Sequence, residues 1–261
     1  MNELVLKAAG VMALAGAQCG LIGVFVFLLN IPFIGVAIAH AAMAGGIWAV
    51  IFGFPGKAGA FILSIFTAIF AGPVSDKTGT KINISLGIIF SLAMGLAFLG
   101  AGIMPGGIQK ASGYLWGSVF LADNYDIIFM AGAFLITALF TIIFYRQISA
   151  VLFNREMAAA NGINDKVFFY SIMILIGLIV AVNLNIIGGL MLFALVIIPP
   201  SIARRFTNDL KLFMVLSVCI GILGSVLGTL VSFALNLPVS ATVVLANCAL
   251  YGFSLFAGQK E

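Results

Sequence analysis

Phe33-Ile34-Gly35-Val36-Ala37-Ile38-Ala39-His40-Ala41-Ala42-Met43-Ala44-Gly45-Gly46 is the stretch whose reading decides the fold. It carries no Asp, Glu, Lys or Arg, and it holds His40, the single histidine of the sequence. An ionisable side chain deep in an apolar run is costly in a membrane and usually faces a bundle interior or a water-filled path. Its neighbours are small. Ala41 and Gly45, and Ala42 and Gly46, are four apart, so each pair shares a helix face and lets a second helix approach closely. The stretch therefore reads as a tightly packed central helix. Two roles stay open for His40: an imidazole lining a cavity, or a neutral hydrogen-bonding group between helices.

The composition agrees. Of 261 residues, 63% are hydrophobic and 8% charged, against about 25% charged in soluble domains. The chain is expected to be an all-α, polytopic membrane helix bundle. Its apolar runs are about 20 residues long, the length needed to cross a bilayer. Alternating ten-residue strands are absent, which argues against a β-barrel. The net charge of +4 is spread over loops and indicates no nucleic-acid partner. Cys19, Cys219 and Cys248 lie far apart in apolar segments, with no disulfide framework or zinc spacing. The N-terminal run lacks a basic n-region and is too long for a signal peptide, so it reads as a mature helix.

Nine hydrophobic segments are expected, near 5–29, 33–53, 58–72, 82–104, 127–145, 167–186, 187–203, 212–235 and 239–257. Asn30-Ile31-Pro32, Phe54-Pro55-Gly56 and Ala71-Gly72-Pro73 mark turns between them, because proline ends or kinks a helix. Only Asn183-Leu184-Asn185 and Gly188-Gly189 divide 167–186 from 187–203, so eight spans are the alternative. No soluble domain or internal repeat is evident. Residues 1–261 read as one transmembrane domain.

Lysine and arginine set the orientation. With 146–166 in the cytoplasm, Lys77, Lys81, Arg146, Arg155, Lys166, Arg204, Arg205, Lys211 and Lys260 share that side, and Lys7, Lys57 and Lys110 lie opposite. The N-terminus is then outside and the C-terminus inside. The longest outer loop, 105–126, holds Pro105, Gly106, Gly107, Tyr114, Trp116, Asp123 and Asp126, a mixture suited to the membrane interface.

The inner loop around 153–166 reads as a short helix outside the membrane. Asn154 is placed to cap it, Glu156 suits the positive end of its dipole, Ala158 to Ala160 favour helix, and Gly162 stops it. Asn164 or Asp165 then caps the next span. Phe153 and Met157, four apart, offer an apolar face to a partner. The other reading is an ordinary loop with one helical turn.

Five pieces of this sequence together resemble the permease subunits of the zinc/manganese ABC importer family, often called ABC-3. They are Cys19-Gly20-Leu21-Ile22-Gly23-Val24-Phe25, the stretch from Phe33-Ile34-Gly35 to His40-Ala41-Ala42, residues 153–162, Gly189-Leu190-Met191-Leu192-Phe193-Ala194-Leu195-Val196-Ile197-Ile198-Pro199, and Pro238-Val239-Ser240-Ala241-Thr242-Val243-Val244-Leu245. The resemblance implies a permease in the cell (inner) membrane that imports a transition-metal ion by alternating access. Two permease subunits form the pathway in such importers. A cytoplasmic ATPase drives it, and an extracellular or periplasmic binding protein delivers the cargo. The permease binds no cofactor of its own, ATP and Mg²⁺ being held by the ATPase. Residues 153–162 match the ATPase-coupling segment, in which Glu156, Ala158 and Gly162 are the recurring positions and Phe153 opens the segment. His40 matches the histidine of the second-segment motif and is implied as a metal ligand.

The sequence departs from that motif at Val36, where an aspartate usually stands one turn before the histidine. Asn30 and Ile31 stand where basic residues are common, and Asn236 where aspartate is. Without the carboxylate, Cys19 and Met43 are candidate soft ligands on the substrate pathway; as packing residues they need no such role. A non-metal or bulky organic solute is the second reading of the cargo. An ion-coupled secondary transporter is the third, disfavoured because the spans hold no Asp or Glu to bind sodium or relay protons. An intramembrane enzyme has no catalytic partner for His40. The sequence lacks a glycine-rich phosphate loop ending in Lys-Ser/Thr, so ATP hydrolysis belongs to another chain.

Overall fold

The computed structural model describes residues 2–78, 82–104, 106, 117 and 119–257. Within them lie eleven α-helices: α1 Asn2–Leu28, α2 Ile34–Ile51, α3 Gly56–Thr78, α4 Ile82–Ile103, α5 Asn124–Ile143, α6 Tyr145–Phe153, α7 Arg155–Ala160, α8 Asp165–Ile187, α9 Gly189–Phe206, α10 Leu210–Leu235 and α11 Val239–Ala257. All but α6 and α7 are long and apolar enough to cross a membrane, which gives nine spans among the described residues. Pro105, Gly107, Lys110, Tyr114 and Trp116 of the outer loop lie outside the described residues. So do Lys81, Lys260 and the side chain of Lys77.

The α8–α9 boundary is a true break. Gly188 sits at φ +78°, a conformation that side chains with a Cβ rarely adopt, and the chain restarts as α9 at the next residue. Asn183 and Asn185 do not mark the boundary and lie inside α8. Two expectations need correction. Ala71-Gly72-Pro73 is not a turn, because α3 runs through Pro73 to Thr78, although the apolar span itself closes at Pro73. A proline removes one N–H and crowds one carbonyl, a local loss that water and neighbouring groups make good near a helix end. Residues 145–153 form a further helix, α6, read from sequence as the end of a span and a loop. Ile148, Val151 and Leu152 bury one face of it.

The tightest packing joins α1 to α10. A Cβ on Gly16 would strike the Gly221 carbonyl oxygen, and one on Gly221 would strike that of Gly16. Ser217 Oγ donates to the Gly20 carbonyl one turn away at 2.6 Å. Backbones this close exploit dispersion over a long contact, the main attraction between helices in lipid. Asn30 and Asn236, both at φ +55°, end the helices before them. Asparagine tolerates that left-handed region better than other residues with a Cβ, so both positions serve the turn.

Contacts sort the helix ends into two groups. Lys57 at the start of α3 meets Asp126 at the start of α5 at 2.9 Å. At the other end, Arg205 Nε donates to the Ser254 carbonyl at 3.2 Å and Asn83 Nδ2 to the Asn30 carbonyl at 3.0 Å. This is the alternation expected of nine consecutive crossings. Asp123 and Asp126 form a capping box at the start of α5: Asp126 N–H donates to Asp123 Oδ1 at 2.7 Å and Asp123 N–H to Asp126 Oδ2 at 3.2 Å. The Asp126 N–H holds the Asp123 carboxyl below its ordinary range.

Candidate functional site

His40 sits on the half-open face of α2, with Val36 and Phe33 one and two turns before it. Its Nδ1 lies 2.9 Å from the Val36 carbonyl oxygen. A carbonyl only accepts, so Nδ1 is the donor in this contact, and in the neutral ring that tautomer leaves the lone pair on Nε2. The ring makes a T-shaped contact with Phe90 on α4, centroids 4.8 Å apart and planes at 79°. A Cβ on Gly189, the first residue of α9, would lie 3.5 Å from the Ala39 Cβ. The break between α8 and α9 therefore lies beside the turn of α2 that carries His40.

Cys19 is wholly buried in the main core. Met43 is buried in a smaller cluster with Ile47, Ala97 and Ala101, between α2 and α4. Among the described residues, no group of three His, Cys, Asp or Glu side chains is placed to hold a metal ion.

A second polar centre was not anticipated from sequence. Gln18 of α1 and Asn183 of α8 are both fully buried. Gln18 Nε2 donates to the Met130 carbonyl of α5 at 2.6 Å, and Asn183 Nδ2 donates to Gln18 Oε1 and, at 2.8 Å, to the Ile179 carbonyl. Two amides thus tie three helices together, and Asn183 Oδ1 is left without a partner. The signal in the sequence was an amide within each of two apolar runs, and only the meeting of Gln18 with Asn183 in space gives it meaning.

The loop between α5 and α8 forms an elbow. Asn154 Oδ1 accepts from Met157 N–H at 3.0 Å and caps α7, Glu156 lies in its first turn, and Gly162 at φ +78° follows its end. Asn164, rather than Asp165, caps α8, accepting from Val167 N–H at 3.3 Å. Ala158 is buried against the elbow, whereas Phe153 and Met157 are 61% and 64% exposed. They line a shallow cavity of about 690 Å³ with Arg146, Gln147 and Ala150 of α6. The residue that sequence reasoning missed is Arg155. Its guanidinium pairs with Asp165 at 3.0 Å and stacks over Phe169, 4.0 Å from the ring centroid.

Nine spans among the described residues, a capped elbow at one end and a single imidazole within the second span are features of a membrane transport subunit. The sequence pattern of the ABC 3 transport family matches residues 1–258, and the chain belongs to that family. It is the membrane permease subunit of an ABC transporter, in which ATP hydrolysis is the work of a separate subunit. Curated relatives include the manganese transport system membrane protein MntC of Halalkalibacterium halodurans, 29% identical over 95% of this chain and 85% of the relative. The manganese import system permease protein ScaB of Streptococcus parasanguinis is 26% identical over 98% of this chain and 91% of its own. The solved structure of PsaBC from Streptococcus pneumoniae in complex with Fab shares the fold, with a TM-score of 0.85 and 24% identity over 98% of this chain and 92% of that one.

Proposed function

We propose that this permease imports a divalent transition-metal ion, manganese or zinc, or a small complex of one, past His40 by alternating access. The observation that carries the reading is the 2.9 Å contact of His40 Nδ1 with the Val36 carbonyl. Metal-binding histidines characteristically donate their other ring N–H to a carbonyl or carboxylate, which fixes the ring and presents the free nitrogen. The names of MntC and ScaB point to the same cargo. One imidazole binds a metal weakly, which suits a pathway that must release its cargo. A homodimer supplies a second His40, because the face that carries the first is only half covered. Cys19 and Met43 join the pathway only if the inward- and outward-open states uncover them.

A cytoplasmic ATPase holding ATP and Mg²⁺ docks on the elbow, with Phe153 and Met157 as its apolar contacts and Glu156 and Gly162 shaping α7. An extracellular or periplasmic binding protein delivers the cargo at the opposite end. The N-terminus lies outside and the C-terminus in the cytoplasm, as the placement of Arg146, Arg155, Lys166, Arg204 and Arg205 favours. Motion passes from α7 through Arg155 to α8, and from α8 through Asn183 and Gln18 to α1 and α5. The break at Gly188 joins α8 to α9 beside the His40 turn.

Val36 favours a second reading, a neutral or bulky organic solute, because the site lacks a negative charge facing a cation. Uptake by proteoliposomes holding the permease, its ATPase and its binding protein separates the two. His40→Ala should lower manganese or zinc uptake about ten-fold or more, in line with the loss of a ligand or its support. Val36→Asp should strengthen metal binding, because a carboxylate one turn away faces the same side of α2. Unchanged metal uptake in His40→Ala would make the histidine structural and leave the organic solute as the better reading.

A further inference from the structure

We propose that the cleft between α5 and α10 is a binding site for one anionic phospholipid, its phosphate held by Lys211 and Tyr145 and an acyl chain lying along the cleft. The cleft has a volume of about 500 Å³ and is floored by Leu21 of α1, with Phe134, Met214 and Val218 on its walls. Ile142 and Val215 flank it at 72% and 57% exposure, so it opens sideways toward lipid. Its polar groups gather at one end. Lys211 Nζ lies 5.3 Å from the centroid of the Tyr145 ring, and neither ion pair found among the described residues includes Lys211. The Asp209 carboxylate is engaged nearby, accepting from Leu212 N–H at 2.9 Å as the cap of α10. Burial, and secondarily Asp209, raise the Tyr145 hydroxyl above its ordinary value, so it stays protonated and able to donate.

The length of the cleft matches one leaflet. Lys211 and Cys219 are eight residues apart on one helix, and Phe134 and Tyr145 span eleven residues along α5 and its junction with α6. At a rise of about 1.5 Å per residue these distances are about 12 and 16 Å. Half of a hydrocarbon core about 30 Å thick is about 15 Å. An ammonium and a hydroxyl at headgroup level, above an apolar slot one leaflet deep, suit a phosphate ester with an acyl tail. Basic pockets between membrane helices recognise anionic headgroups in this way. The placement depends only on the end of the bundle that carries α6, and not on the identity of the transported solute.

Cys219 lines the deep end of the cleft and is exposed, so it reports occupancy. Cys248→Ser removes the other exposed cysteine. The full-length chain carrying Cys248→Ser is reconstituted in phosphatidylcholine vesicles, with or without phosphatidylglycerol. Alkylation of Cys219 by a membrane-permeant maleimide is followed, and lipid retained after mild detergent extraction is counted by native mass spectrometry. Phosphatidylglycerol should slow alkylation and one molecule per chain should be retained. Lys211→Gln should weaken retention about five-fold, the worth of one basic side chain near an anionic surface, and Tyr145→Phe should weaken it further. Equal protection in pure phosphatidylcholine would overturn the proposal, pointing to a zwitterionic lipid or a second copy of the chain over the cleft. Protection by glycerol phosphate alone would reduce the site to one for a free anion. Retention that ignores Lys211→Gln and Tyr145→Phe would remove the headgroup assignment.

Discussion

Arg155 Nη2 lies 3.0 Å from Asp165 Oδ2, and the same guanidinium covers the ring of Phe169. The pair joins the short elbow helix α7 to the first turn of a long span, α8. Without it, α7 would be a six-residue helix on a glycine-containing loop, too short to hold an orientation alone. Under the proposed docking of an ATPase on the elbow, this pair would carry a push on Phe153 or Met157 to α8.

Arg155→Ala is therefore expected to leave ATP hydrolysis in the assembled transporter and to lower uptake. The ion pair and stacked contact at a partly exposed site together amount to on the order of 1 kcal/mol, or about a five-fold effect. Arg155→Lys keeps the charge but not the planar stack, and should fall between wild type and alanine. Parallel ATPase and uptake assays in proteoliposomes check this. Uptake that stays at the wild-type level in Arg155→Ala would show that α7 moves α8 by another route.

The Gln18–Asn183 pair gives a stability prediction. Gln18→Leu removes its bonds to Asn183 and to the Met130 carbonyl, and should cost about 1–2 kcal/mol on membrane double-mutant scales. Asn183→Leu should cost less, because it also removes the orphaned Oδ1. Unfolding in mixed micelles, completed with the double variant, measures the coupling. Additive effects of the two substitutions would show that the amides do not depend on each other.

Glycines of one helix should behave oppositely. Gly16→Ala places a methyl against the Gly221 carbonyl oxygen and should destabilise by about 1–3 kcal/mol, the usual cost of overpacking. Gly10→Ala meets nothing within 4 Å and should be neutral or stabilising, since alanine is the better helix former. Thermal inactivation of the purified variants distinguishes them. Equal behaviour would mean that α1 and α10 are not in backbone contact.

What the sequence determined by itself was everything that depends on local composition and spacing. Nine apolar runs between proline, glycine and basic residues set the number of spans. The Asn154, Glu156 and Gly162 pattern set α7, because capping and stop signals act within a few residues. His40 was visible because one histidine in an apolar run stands out without neighbours. Tertiary structure decided the rest. Whether a proline ends a helix depends on what surrounds the freed carbonyl, so Pro73 lies inside α3 while Gly188 makes the break. Gln18 and Asn183 are separated by most of the chain and acquire a role only when α1, α5 and α8 meet. The donor state of His40 was decided by a carbonyl one turn away, at a distance that no residue pattern specifies. Arg155 looked like one more positive loop residue until folding brought Asp165 and Phe169 to it. Local signals survive in sequence because they are short-ranged, whereas partnerships between distant residues exist only after the backbone has closed the loops between them.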